Sequence, residues 1–461
     1  MKSTCAGRLA AAVLLCATGV STAVGQTAGG GQASDYNFIV KTGAGYSDNV
    51  ERVGSNGTSS LLGIVGVELV ANRDSGRLQL ASGIDLSMYH YFDAVRDADQ
   101  FVGGGNLNAR YEIREDRFFW VVDDTLTQVR ENFRLPTSPD NRQNYNTFTT
   151  GPDLRWRFSP TMDATAELRY SRRDAGRDST LNSQSYLARG LLTRAFSPQS
   201  RLSLAVATEK FNVEPSPLVQ QADFDRREYY LRWLSVTSRT NFFVEAGLSQ
   251  IDGNTNNESG PLLRANVSRQ VSPSLTVTLS GARQFAVTGD QGQRFRINDT
   301  IDLADDLILP AAEPFEQTTA RIDANYRRPR TELTLSYGRS KEDYKFATQL
   351  KRDTSDLRAA FLRRLTPRSQ VQIFAGQTTD SINGQSYDVT EKYVGAAVLW
   401  RLTQSLSIAS SVDRRNRSGG VFSDNYKELY GSVQLRYSPF GPDTGPGTST
   451  GANPLGSPQT N

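Results

Sequence analysis

The chain has 461 residues, with 52 Lys and Arg against 49 Asp and Glu, one His, two Cys and a formal net charge of +3. So even a balance excludes the concentrated basic footprint of a nucleic-acid binder, and 37% hydrophobic residues is too many for a chain disordered throughout. A polytopic helical membrane protein is excluded as well: beyond residue 25 no apolar run approaches the roughly 18 residues a membrane-crossing helix needs. The most apolar stretch, Leu61 to Ala71, is interrupted by Glu68.

Taken in chain order, Lys2 and Arg8 precede an apolar run from Leu9 to Cys16, and Ala23-Val24-Gly25 is a small-residue cleavage site. Residues 1–25 therefore read as a secretory signal peptide. Cys5 and Cys16 both lie inside it, so the mature chain has no disulfide, thiolate metal site or Cys nucleophile. The large residues of Val13-Leu14-Leu15 argue against lipidation at Cys16. Residues 26–35 read as a flexible segment, 36–440 as the folded body, and 441–461, rich in Gly, Pro, Ser and Thr, as a disordered periplasmic tail.

Length alone would suggest about three domains for the body. A recurring turn overrules that prior: Phe158-Ser159-Pro160, Phe196-Ser197-Pro198, Val271-Ser272-Pro273, Leu365-Thr366-Pro367, Leu402-Thr403-Gln404 and Tyr437-Ser438-Pro439. Pro160 and Pro198 lie 38 residues apart, as do Pro329 and Pro367, which is the length of one hairpin with its loop. Between turns the side chains alternate. Met162, Ala164, Ala166, Leu168 and Tyr170 take one face, and Asp163, Thr165, Glu167, Arg169 and Ser171 take the other. The runs number about 20 (range 16–20). Short turns fall near 75, 115, 159, 198, 237, 273, 329, 367 and 404, whereas Asp48 to Thr58, Glu131 to Gln143, Asp252 to Gly260 and Val287 to Pro314 form long polar loops. One-sided loop lengths with dyad strands predict an all-β fold: a transmembrane antiparallel up-and-down β-barrel of the outer membrane, with short periplasmic turns and long extracellular loops. A soluble β-sandwich is the alternative, and it leaves the asymmetry unexplained. Phe158, Phe196, Tyr326 and Tyr437 are expected at one bilayer interface, and Tyr91, Tyr145, Tyr229 and Tyr426 near the other.

The opening hairpin, Gly43-Ala44-Gly45-Tyr46-Ser47-Asp48-Asn49-Val50 with Gly63-Ile64-Val65-Gly66-Val67 and Gly76-Arg77-Leu78-Gln79-Leu80, resembles the start of outer-membrane barrels associated with PEP-CTERM and exopolysaccharide systems. Its most specific part is the Tyr-Ser-Asp-Asn tip. Val65-Gly66 stands where such barrels commonly carry Pro-Gly, and the likeness spans about 50 residues by sequence, the rest by architecture. The resemblance implies a role in export or surface assembly of polysaccharide. It implies no catalytic residue.

Candidate chemistry is sparse, and neither an enzyme nor a cofactor is expected. His90, the single histidine, is separated by strand alternation from Ser87, and Gly103-Gly104-Gly105 lacks the Lys and Ser/Thr of a phosphate loop. Asp252, Asn254, Asn256 and Glu258 have calcium-like spacing, but Asn257 replaces the glycine of an EF-hand loop, so a solvated loop is the preferred reading. Asp299, Asp302, Asp305 and Asp306, with Ile301, Leu303, Leu307, Ile308 and Leu309, mark the loop within 287–314 as a candidate plug.

Alternation points Arg110, Glu112, Arg155, Arg157, Arg169, Glu228, Arg232, Arg321, Asp323, Arg358 and Arg436 into the lumen. A basic aqueous wall favours anionic solutes. Two functions follow: a channel for polysaccharide export or anionic solutes, or a non-conducting scaffold or adhesin. Gly431, Val433, Leu435, Tyr437 and Phe440 resemble the terminal-strand signal read by the outer-membrane assembly machinery. The expected partners are therefore that machinery, outer-membrane lipids with lipopolysaccharide, and polysaccharide or its export complex.

Overall fold

The alternating runs fold as strands because each presents an apolar side to one environment and a polar side to another. The computed structural model describes residues 35–93, 99–131, 135, 136, 138–176, 182–214, 223–253, 257–287, 314–344, 351–382, 388–419 and 425–439. The expected signal peptide, the expected 441–461 tail, Phe440 and the loop interior 288–313 lie outside these residues. The first ten strands are β1 (Asp35–Ser47), β2 (Ser60–Ser75), β3 (Leu78–Tyr91), β4 (Asp99–Arg114), β5 (Phe118–Arg130), β6 (Arg142–Ser159), β7 (Met162–Ala175), β8 (Ser183–Ser197), β9 (Ser200–Val213) and β10 (Phe224–Val236). The second ten are β11 (Thr240–Gly253), β12 (Asn257–Ser272), β13 (Leu275–Val287), β14 (Pro314–Arg328), β15 (Thr331–Tyr344), β16 (Arg352–Thr366), β17 (Ser369–Ile382), β18 (Val389–Arg401), β19 (Leu406–Ser418) and β20 (Tyr426–Tyr437). Each pairs antiparallel with the next, and β20 returns to β1, which closes a 20-stranded barrel.

The recurring Ser/Thr turn has a local cause. The hydroxyls of Ser159, Ser197, Ser272, Thr366 and Thr403 accept the backbone N–H two residues on, at 3.1 to 3.3 Å. Such a bond closes the turn before any strand pairing is needed. Proline at the first turn position fixes φ near about −65°. Among the described residues, positive φ outside glycine occurs at Arg52, Asn56 and Asp116 alone, so the proline turns are not the mirror-image hairpin type. Instead the register slips by one residue beside Ser159, Ser197, Ser272 and Thr366, which restores the strand twist. Gly103, at φ +127°, lets β4 approach β3: a Cβ there would overlap the Asp85 carbonyl. The glycine triplet thus serves close strand approach.

The two faces divide cleanly. Leu61, Val65, Leu204, Leu231, Leu248, Leu279 and Leu335 are exposed on the outer face, where a bilayer replaces water. All four tryptophans, Trp120, Trp156, Trp233 and Trp400, stand on this face near the short-turn ends, with Phe158, Phe196 and Tyr437. They form an aromatic girdle. The expected second girdle is corrected: of Tyr91, Tyr145, Tyr229 and Tyr426, only Tyr229 is exposed on the outer face. Tyr91 packs inward on Leu62 and Ile64, Tyr145 on Val129, and Tyr426 beneath the Arg52 guanidinium, because their register places them opposite inward neighbours. The long loop expected over Asp252 to Gly260 is also corrected. β11 runs to Gly253 and β12 starts at Asn257, so Asp252, Gly253 and residues 257–260 lie in strands.

The closing seam joins β1 to β20 through eight register pairs, from Val40 with Tyr437 to Ser47 with Tyr430. Side chains reinforce both its ends. At the long-loop end Ser47 donates to Glu428 at 2.7 Å, Arg52 donates to the same carboxylate at 2.7 Å, and the Asn49 amide donates to the Lys427 carbonyl at 3.0 Å. The Asp48 carboxylate accepts the Leu429 N–H at 2.7 Å. At the short-turn end Arg436 forks onto both oxygens of Glu68 at 2.6 and 2.7 Å, and Glu68 and Asp85 both face Lys41. Removing one member of a buried ion pair strands the other. Arg436→Ala should therefore lower stability by about 3 kcal/mol in urea unfolding of the reconstituted barrel, and Arg436→Met with Glu68→Met by distinctly less. Equal losses in the two variants would contradict this role.

Candidate functional site

The bore is the candidate site, and its wall is built by the inward half of every strand. Register carries one face from strand to strand: Arg110 is opposite Val121, Val121 opposite Gly151, and Gly151 lies between β5 and β7 beside Arg169. Followed around the barrel, this face holds all eleven residues singled out for the lumen.

Most of the arginines on it meet a carboxylate within the wall. Arg155 contacts Asp163 at 3.3 Å, and Arg169 contacts Asp153 at 2.5 Å. Arg232 donates to Glu245 at 2.6 Å, and Glu228 accepts from Arg264 at 2.7 Å. Arg321 pairs with Asp323 and Arg358 with Asp356, both at 2.9 Å. Three members sit nearer the short turns and differ: Arg110 lies 4.0 Å over the Phe119 ring, Glu112 accepts the Asp116 N–H at 2.6 Å, and Arg157 reaches Asp116 at 3.6 Å. The pairs join residues on the same strand or on strands no more than two apart, so they line the bore instead of bridging it.

The sequence did not single out Arg189, Arg264 or Glu245, which belong to this wall. Arg189 donates to Glu167 at 3.0 Å, and Arg264 ties Glu228 and Glu245 together across three strands. Their signal was faint: Arg189 stands between inward-facing Leu187 and Leu191, and Arg264 follows Leu262 and Leu263, which occupy opposite faces.

At the long-loop mouth the geometry changes. Arg130, the last residue of β5, donates to Glu391 of β18 at 3.1 Å, although β5 and β18 are not neighbours in the sheet. Arg417 of β19 lies 3.6 Å from the same carboxylate. The other arm of the Arg130 guanidinium holds the Leu135 carbonyl at 3.4 Å, and the Asn141 amide holds that of Pro136 at 2.8 Å. Pro136, Ser138, Pro139 and Asn141 are buried. The described part of the connection between β5 and β6 therefore turns in over the mouth and is anchored to the far wall, while the interior of the candidate plug, 288–313, lies outside the described residues.

Two minor candidates are resolved by register. Asp252 is in register with Asn257 and contacts Arg227 at 3.1 Å, whereas Glu258 is in register with inward Ile251. The two carboxylates occupy opposite faces and do not share an ion. His90 stands on the outer face, where its Nδ1 is 2.7 Å from Asp99 and its ring meets Phe92 edge-on, away from inward Ser87.

No family model and no curated protein matches the chain. Among solved structures it is similar to a mutant of the ferric enterobactin receptor PfeA of Pseudomonas aeruginosa, at 10% identity over 90% of this chain and 81% of that one, with a TM-score of 0.44. It is similar to the FrpB iron transporter of Neisseria meningitidis at 8% identity over 88% and 83%, also with a TM-score of 0.44. A third, the ferric citrate transporter FecA, has 9% identity over 88% and 79% and a TM-score of 0.39. None of these is a polysaccharide-system barrel, and likeness at this level assigns no cargo.

If the Arg130 bridge limits the mouth, Arg130→Ala with Glu391→Ala should speed swelling of proteoliposomes in neutral sugars by about twofold or more. An unchanged rate would place the constriction elsewhere.

Proposed function

We propose that the chain is an outer-membrane channel that passes hydrophilic solutes, with saccharides and small anions as its cargo class and polysaccharide export as the specific setting. The observation that carries this reading is the pairing of the inner arginines. Arg155, Arg169, Arg321 and Arg358 are matched by Asp163, Asp153, Asp323 and Asp356 along the wall, which leaves the middle of the bore without an ion pair drawn across it by these residues. Such a wall offers alternating donors and acceptors to hydroxyl-rich solutes and only a mild net field to ions.

The alternative, a non-conducting scaffold, is favoured by one feature, the Arg130–Glu391 bridge across the mouth. Planar-bilayer recording separates the two. Conductance of the purified protein supports the channel; silence both in the wild type and after removal of the bridge supports the scaffold.

Selectivity tests the wall itself. With its arginines matched, the channel should prefer chloride over potassium only weakly. Asp153→Asn, Asp163→Asn and Asp323→Asn together should strengthen that preference by freeing three guanidiniums, and Arg155→Glu, Arg169→Glu and Arg321→Glu together should reverse it. Reversal potentials that stay put in both triple variants would mean that these residues do not line the conducting path.

A further inference from the structure

At the short turn between β14 and β15 arginines outnumber carboxylates. A cavity of 340 Å³ there is lined by Arg327, Arg328, Arg330 and Arg364, with Pro329, Thr331, Leu362 and a single carboxylate, Glu332. Glu332 lies 4.0 Å from Arg327, the outer limit of an ion pair. Arg327, Glu332, Leu362 and Arg364 have the strand parity of the lumen face, whereas Arg328 has that of the outer face, so the excess of arginine surrounds the turn on both sides.

The second observation concerns the outer face. Arg328 is in register with Thr331, and Thr331 with Arg363, so three adjacent strands present Arg, Thr and Arg in one row. With strands about 4.8 Å apart, the two arginine backbones stand roughly 10 Å from each other with the threonine hydroxyl between them. Their face is the lipid-facing one. Leu333, Leu335 and Leu357, two strand positions or more toward the barrel centre, are exposed on it. The Arg328 guanidinium lies 5.5 Å from the ring centre of Tyr326, and the Arg330 carbonyl accepts the Arg364 N–H at 2.8 Å, which ties the turn to β16. Arginine on an otherwise apolar strip, at the depth of the aromatic girdle, sits where head groups meet protein.

We infer that the β14–β15 turn and the adjoining end of β16 bind the phosphate of an anionic phospholipid. Arg328, Arg330 and Arg363 hold the phosphodiester, and the acyl chains lie along Tyr326, Leu333 and Phe361. Guanidinium forks suit the paired oxygens of a phosphate, and the apolar strip above gives the chains a surface that a soluble phosphate or an acidic protein segment does not need. The inference rests on the membrane-spanning reading of the barrel.

The test is native mass spectrometry of the detergent-extracted full barrel, with phosphatidylglycerol and phosphatidylcholine as probes. The wild type should retain one phosphatidylglycerol under conditions that strip phosphatidylcholine. Arg328→Ala, Arg330→Ala and Arg363→Ala together should reduce that retention about tenfold. Arg73→Ala, an exposed outer-face arginine at another short turn, should leave it unchanged, and millimolar inorganic phosphate should not displace the lipid. Equal retention of both lipids, a triple variant that binds as wild type, displacement by phosphate, or displacement by an acidic peptide would each overturn the assignment. The heat-dependent gel shift of the same samples reports barrel integrity separately, so loss of the shift would count against the membrane reading, and loss of lipid with the shift intact against this site alone.

Discussion

The structure depends on closing the sheet. A strand edge left open in hydrocarbon exposes a row of N–H and C=O groups, each costing several kcal/mol, roughly, so the pairing of β1 with β20 is the condition for all other strands to stay in the membrane. That pairing is short, with eight register partners against thirteen between β1 and β2. Side chains make up the difference. Ser47, Asp48 and Asn49 grip Glu428, Leu429 and Lys427 at one end, and Arg436 grips Glu68 at the other. The Tyr-Ser-Asp-Asn tip that supported the family resemblance is thus accounted for by the seam: Tyr46 pairs in register with Gly431, and Ser47, Asp48 and Asn49 add side-chain bonds.

Once the barrel is closed, a single alternation makes both working surfaces. Outward leucines and a tryptophan girdle meet lipid, and inward arginines meet carboxylates of the same or nearby strands. Burying so many guanidiniums without partners would be prohibitive, and pairing them within the wall satisfies them. The same arrangement weakens the field that unpaired arginines would impose. Beside these pairs the inner face carries apolar clusters, such as Leu191, Ala205, Tyr230 and Leu262.

The strands, turns and faces were legible in the sequence because they are local. A Ser or Thr hydroxyl bonded two residues on, followed by Pro, marks a turn wherever it occurs, and dyad alternation needs no partner to be read. What could not be read is what depends on distant register. Arg130 and Glu391 are 261 positions apart, and nothing near either signals the other. Tyr91, Tyr145 and Tyr426 sit close to strand ends as interfacial tyrosines do, but only the register shows that they turn inward. The Asp252 to Gly260 segment looked like a loop because Asn, Gly and Ser are poor strand formers, yet pairing with β11 overrides that propensity.

The opposite environments of alternate residues are open to a direct test, because the only cysteines of the chain are Cys5 and Cys16. Single cysteines introduced along β13 from Thr276 to Ala282, in protein reconstituted into lipid vesicles, can be probed by a membrane-impermeant thiol reagent and by fluorescence quenching from spin-labelled lipid. The structure requires positions 276, 278, 280 and 282 to react with the aqueous reagent and resist lipid quenching, and positions 277, 279 and 281 to behave in the opposite way. Equal aqueous reactivity at all seven positions, or a pattern without period two, would contradict a bilayer-spanning barrel with a water-filled bore.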